Sequence, residues 1–238
     1  MLLRIRIRLP DRPGSLGKVA RTLGAAGADV VQMAVLERDN GRALDDFTVA
    51  WPAGAGIGRL VDGLGAVPGV EIVGVWPTVE PAGVHPDAAV IGQVAAIPDR
   101  GPQILADAVP GVLSADWAGL AEIDEDGHAM LAHASVGGVL QEELPALAPL
   151  RPRAFTAPDG AQYAICPLAA GRVVLVVART GAPPFHRTEV YRLEQLVGAA
   201  ETVLGVGPHR AVQQDPRRAE GGEEGRAGRR AEGRDAAG

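Results

Sequence analysis

The sequence predicts an α+β protein built on antiparallel sheets. Three observations carry that reading: short segments alternate strictly between apolar and polar residues; runs with i, i+3, i+4, i+7 spacing lie between them; and through Trp76 the order is β-α-β-β-α-β.

The first segment, LLRIRIRL, places Leu3, Ile5, Ile7 and Leu9 on one side and Arg4, Arg6 and Arg8 on the other, the pattern of a half-buried strand. Pro10-Asp11-Arg12-Pro13-Gly14 interrupts it, because two prolines cannot sustain a ladder. Leu16, Val19, Ala20 and Leu23 then form a helix face, with Gly27 as its stop. DVVQMAVLE is the second strand, Asn40-Gly41 a hairpin turn, and DFTVAW the third strand through Phe47, Val49 and Trp51. Ile57, Leu60, Val61 and Leu64 mark a second helix, and PGVEIVGVW ends in the fourth strand. This is the split β-α-β, ferredoxin-like arrangement, with both helices on the apolar face of one sheet.

Residues 78–86 are rich in Pro and read as a linker between a first domain, 1–77, and a second, 87–206. The second opens with helices across 87–109. It continues with strands WAGLAEID and HAMLAHAS around the turn Glu125-Asp126-Gly127, then a weakly patterned middle. Two further strands in AQYAICPLAAGRVVLVVART and the helix TEVYRLEQLVGAAETVL follow, with Thr188 as the expected N-cap. Residues 207–238 mix Arg, Asp, Glu and Gly with almost no apolar side chains, so a disordered tail is expected.

Composition narrows the function classes. Hydrophobic residues make up 47% and aromatics 3%, so the core is aliphatic. Lys18 is the only lysine among 23 basic residues. A net charge of −6 gives no general support to nucleic-acid binding. The Arg4, Arg6, Arg8 face lacks the aromatics that stack single-stranded RNA, and it reads as a solvated or dimer-facing surface, with Asp46 and Thr48 placed to face it across the strands. One cysteine, Cys166, excludes an internal disulfide. No membrane span and no signal peptide are read, so a cytoplasmic protein is expected.

The turn Asp11-Arg12-Pro13-Gly14-Ser15-Leu16 and the segment Gly27-Ala28-Asp29-Val30, in this element order, resemble the ACT domain over residues 1–77. The resemblance implies a regulatory module that holds a small amino acid between these two places, usually across a homodimer interface. It carries over ligand-binding roles to Asp11, Arg12, Pro13, Gly14, Ser15, Leu16, Ala28, Asp29 and Val30. A helix N-terminus offers unpaired N–H groups and partial positive charge to a carboxylate, Gly14 lets the backbone come close, and the two aspartates suit an ammonium. The family often has Asn at these two positions; aspartates would disfavour the carboxylate. The plain alternative is that Asp11 caps the helix and Gly14 only turns the chain. The stretch from Ala164 to Val197 more weakly resembles a GAF domain, which implies a second sensory fold without naming a ligand.

Catalytic chemistry finds little support. A Cys166 nucleophile paired with His128 or His133 is conceivable, but a single Cys in an apolar strand reads as a small buried hydrophobe. The histidines lack metal-binding spacing, Asp124 to Gly127 is too short for a calcium loop, and no cofactor motif is present. The expected protein is a non-enzymatic sensor of an amino acid or related metabolite. It dimerises, acts on a possible partner enzyme, and needs no cofactor, metal, nucleic acid or membrane. The alternatives are a ligand-free interaction module and, below it, an enzyme using Cys166.

Overall fold

The computed structural model describes residues 1–78, 86–139, 143–168 and 171–205. The expected tail and most of the expected linker lie outside these residues. Strands β1 (Leu2–Pro10), β2 (Asp29–Asp39), β3 (Arg42–Ala50) and β4 (Glu71–Thr78) form an antiparallel sheet in the order β2-β3-β1-β4. Helices α1 (Ser15–Ala26) and α2 (Gly58–Gly65) supply Val19, Leu23, Leu60 and Leu64 to one core with Leu3, Ile5, Ile7, Leu9, Phe47 and Val49. Burying each of the larger aliphatic side chains contributes about 1.5–3 kcal/mol. The ferredoxin-like arrangement is therefore present. Asn40 and Gly41 both adopt positive φ, 48° and 72°, which matches the twist of the β2–β3 hairpin.

The second half begins with α3 (Pro86–Ala96), a short 3-10 turn (Pro98–Arg100) and α4 (Gly101–Leu113). Strands β5 (Trp117–Ile123), β6 (Ala129–Ala134), β7 (Arg153–Thr156), β8 (Gln162–Leu168) and β9 (Val173–Arg179) form a second antiparallel sheet in the order β6-β5-β9-β8-β7, and α5 (Arg187–Leu204) follows. α3, α4 and α5 cover one face over Leu120, Cys166, Leu175 and Val177. The other face carries a separate cluster around Trp117, Tyr163, Ile165, Val174 and Val176, closed by Leu147 and Ala157. Burial on both faces explains the unbroken apolar run in β9. The weakly patterned middle contains β7, a four-residue edge strand.

The helix α5 starts two residues earlier than its sequence implies. His186, not Thr188, is the N-cap: its ring accepts from the Thr188 N–H, and the Glu189 carboxylate accepts from the His186 N–H at 2.8 Å, a capping box. The same carboxylate reaches the first sheet, as described below.

Candidate functional site

Gly14 precedes α1 with φ of 86°, a conformation that disfavours any residue with a β-carbon, although a β-carbon built there would meet no atom within 4 Å. No side chain caps this helix end. The first rung of the helix runs from the Lys18 N–H to the Gly14 carbonyl at 3.2 Å. Arg12, Pro13, Gly14 and Leu16 are exposed and Ser15 is half-buried.

Asp11 is not free. Its carboxylate takes two hydrogen bonds from Arg38, at 2.9 and 2.8 Å, and Arg38 lowers its pKa. Behind this pair lies Asp45, opposite Ile7 on β1 and Val35 on β2, on the apolar face of the sheet. Asp45 is 3% exposed and its Oδ1 has no hydrogen-bond partner. Burial pushes its pKa up to about 6, and repulsion from Asp11 and Asp46 adds to the rise. Sequence reasoning passed over Asp45, yet the parity of Phe47 and Val49 already places residue 45 on the core face.

Ala28 is buried in the first core, while Asp29 and Val30 are exposed on β2. Asp29 pairs with Ala50, at the opposite end of the sheet from Asp39, Arg42 and Pro10. The 11 residues of β2 separate it from the turn by about 30 Å. One chain does not bring the two segments together; a pocket between them requires a second copy.

The arginine face of β1 is buried, which corrects the expectation of a solvated or dimer-facing stripe. Arg6 is 2% exposed, and only Arg8 faces solvent. The Asp46 carboxylate takes hydrogen bonds from Arg4 Nε and Nη2 and from Arg6 Nε and Nη2, so the cross-strand pairing expected for Asp46 is present. The cover comes from the second half. Glu189 accepts from Arg6 at 2.8 Å and from Arg179 at 3.0 and 3.2 Å. Pro184 O accepts from Arg6 at 3.1 Å. The guanidiniums of Arg4, Arg6 and Arg179 all lie within 6 Å of the Trp76 ring, a cation–π distance. Gly74 of β4 admits Pro183, which would lie 2.5 Å from a β-carbon there.

The end of α4 contributes too. Ser114 turns left-handed, φ 51°, and leaves the last carbonyls open: Leu113 O accepts from Arg4 at 3.2 Å and Val112 O from Arg192 at 3.1 Å. Burial alone would raise the Glu189 pKa, but Arg179, Arg6 and Arg4 outweigh it and hold the carboxyl well below its ordinary value. Beside Arg4 opens a cleft of about 270 Å³ between β2 and β3 on one side and α4 and α5 on the other.

Cys166 lies on β8, three strand spacings from His128 and His133 near and in β6, about 14 Å away, so no Cys–His pair forms. Burial first, then Glu194 and Glu201, push its thiol up to about 12. Cys166→Ala is expected to cost about 1–2 kcal/mol, and thiol reagents should label the native chain only on the timescale of unfolding; rapid labelling would show an accessible thiol. Asp124, Asp126 and His128 stand together on the surface, where Asp124 closes the β5–β6 turn onto the His128 N–H.

Residues 3–50 match the ACT domain model. No curated protein sequence matches the chain. Solved structures that it resembles include the GAF domain of an Acinetobacter phosphoenolpyruvate-protein phosphotransferase, at 12% identity and a TM-score of 0.40, covering 53% of this chain and 95% of that one. A formyltetrahydrofolate deformylase from Pseudomonas putida is similar at 15% identity and a TM-score of 0.28 over 41% of this chain; the match spans 39% of the deformylase. The ligand-free regulatory subunit of aspartate kinase from Thermus thermophilus is similar at 14% identity and a TM-score of 0.28, covering 86% of this chain and 95% of that one. Among the described residues no helix is long and apolar enough to cross a membrane.

Proposed function

We propose that the chain is a non-enzymatic, cytoplasmic regulatory protein that senses an amino acid or a related metabolite at the turn Asp11–Leu16, in a homodimer. Its division into domains 1–77 and 87–206 belongs to the same reading. The carrying observation is Asp45, a buried carboxyl with an unpartnered oxygen close to the turn that the ACT match covers. Such a group costs stability unless something completes it. A ligand ammonium would do so, and the side-chain-free start of α1 would receive the ligand carboxylate. Asp11, already tied to Arg38, takes a supporting role. Ala28, Asp29 and Val30 of a second copy would close the site.

Calorimetry of the full chain against the standard amino acids tests this. One or a few should release heat, with light scattering reporting a dimer. Gly14→Val should abolish binding by straining a positive-φ turn. Asp45→Asn should weaken it by about 1–3 kcal/mol, the worth of a hydrogen bond to a charged group. Absence of heat with every amino acid would leave the turn a joint between strand and helix, and the interaction-module reading would stand in its place.

A further inference from the structure

The buried charges between the first sheet and α5 do not balance. Three guanidiniums, Arg4, Arg6 and Arg179, face two carboxylates, Asp46 and Glu189. Asp45 alternates to the other side of β3 and does not join them. Arg192 is neutralised at the rim by Asp87, at 2.7 Å, and Arg187 by Glu37, also at 2.7 Å. One positive charge is left over where the surroundings screen it poorly. Arg6 and Arg179 are 2% and 1% exposed, so neither can meet an outside partner.

Arg4 can. Its side chain is 13% exposed and lines the 270 Å³ cleft. Its Nη1 gives one proton to Leu113 O, and among the described residues no acceptor meets the second. Around it stand uncharged hydrogen-bonding groups: the Thr48 hydroxyl, the Gln32 amide and the Ser114 hydroxyl, none engaged in a side-chain hydrogen bond among the described residues. The wall also carries the Asp46 and Glu189 carboxylates, both already engaged by arginines, with Thr188 and Arg192; beside them stand the one surplus cation and these three neutral groups.

We propose that this cleft is a binding site for a small organic acid with a single carboxylate. One carboxylate oxygen takes the free Arg4 Nη1 proton, and the neutral groups of Thr48, Gln32 and Ser114 bind the other oxygen or a hydroxyl on the acid. The ligand would touch β1, β2 and β3 on one side and the end of α4 on the other, so its binding tightens the contact between the two halves. This site is separate from the turn at residues 11–16, needs no ammonium, and stands independently of the amino-acid reading.

The test is thermal unfolding and calorimetry of the full chain with sodium acetate and sodium lactate, against sodium chloride and acetamide as controls. Saturable stabilisation by one or both acids and none by the controls is expected. Ala34→Leu fills part of the cleft without touching a charge, and Arg4→Gln removes the surplus; each should weaken the response by at least about tenfold, the first by excluding the acid and the second by losing one charge-assisted hydrogen bond. Gly14→Val should leave it unchanged, which separates this site from the turn. No saturable response to either acid, equal stabilisation by acetamide, or an undiminished response in Ala34→Leu would overturn the proposal.

Discussion

Glu189→Ala is expected to destabilise the chain by about 3–5 kcal/mol, the range for removing one partner from a buried charge cluster. Glu189 is 5% exposed and accepts from three arginines, Arg4 and Arg6 of the first half and Arg179 of the second, and from the His186 N–H of its own helix. Its loss would leave two buried guanidiniums, Arg6 and Arg179, and the partly buried Arg4 facing Asp46 alone, and α5 without half of its capping box. Urea denaturation measures this as a lower midpoint. A cost below about 1 kcal/mol, as for an exposed ion pair, would mean that water already fills the contact. The pH sign follows from the depressed carboxyl. The contribution is fully present above the ordinary value of 4.5 and is lost as pH falls through the lower folded value.

Asp45→Asn should do the opposite and stabilise the ligand-free chain at neutral pH, by about 1–3 kcal/mol. The folded carboxyl titrates at about 6, above its ordinary 3.8, because burial opposes the charge. Whatever Asp45 contributes is therefore fully present below about 3.8 and lost as pH rises through about 6. At pH 7 the wild type carries a buried carboxylate with one oxygen unpaired; asparagine carries no charge there. Melting temperatures of both proteins between pH 4 and pH 7 decide the point: the variant's advantage should grow across that window. A variant less stable than wild type at pH 7 would show that Asp45 has a partner. Gain in stability with loss of binding is the trade expected of a ligand group held ready in a core.

Much of the first sheet was legible because each signal there is local. Alternation in LLRIRIRL, the Asn40-Gly41 turn and the Gly27 stop each describe a few neighbouring residues, and the observed elements follow them. β7 escaped notice because four residues, RAFT, are too few to show a period. Thr188 drew the N-cap assignment because hydroxyls are common there, whereas His186 holds the place with help from Glu189. The arginine face shows the limit most clearly. Its alternation fixes which way Arg4 and Arg6 point, but their cover comes from Leu113, Arg179 and Glu189, more than a hundred residues away, and nothing local announces it. The separation of Asp11 from Asp29 was legible in principle. An antiparallel order with β3 between β1 and β2 makes β1 and β2 run the same way, so the end of β1 and the start of β2 lie at opposite ends of the sheet, whatever the side chains are.

Lys18 sits one turn into α1, exposed, with its N–H closing on the Gly14 carbonyl. It is also the only lysine in the sequence. A lysine-directed dye therefore has a single side-chain address on this molecule, a few ångströms from the helix end where a ligand would arrive. Environment-sensitive fluorescence can thus be installed there without engineering a cysteine or altering any charge in the buried contact. The chain comes with its own attachment point for a reporter.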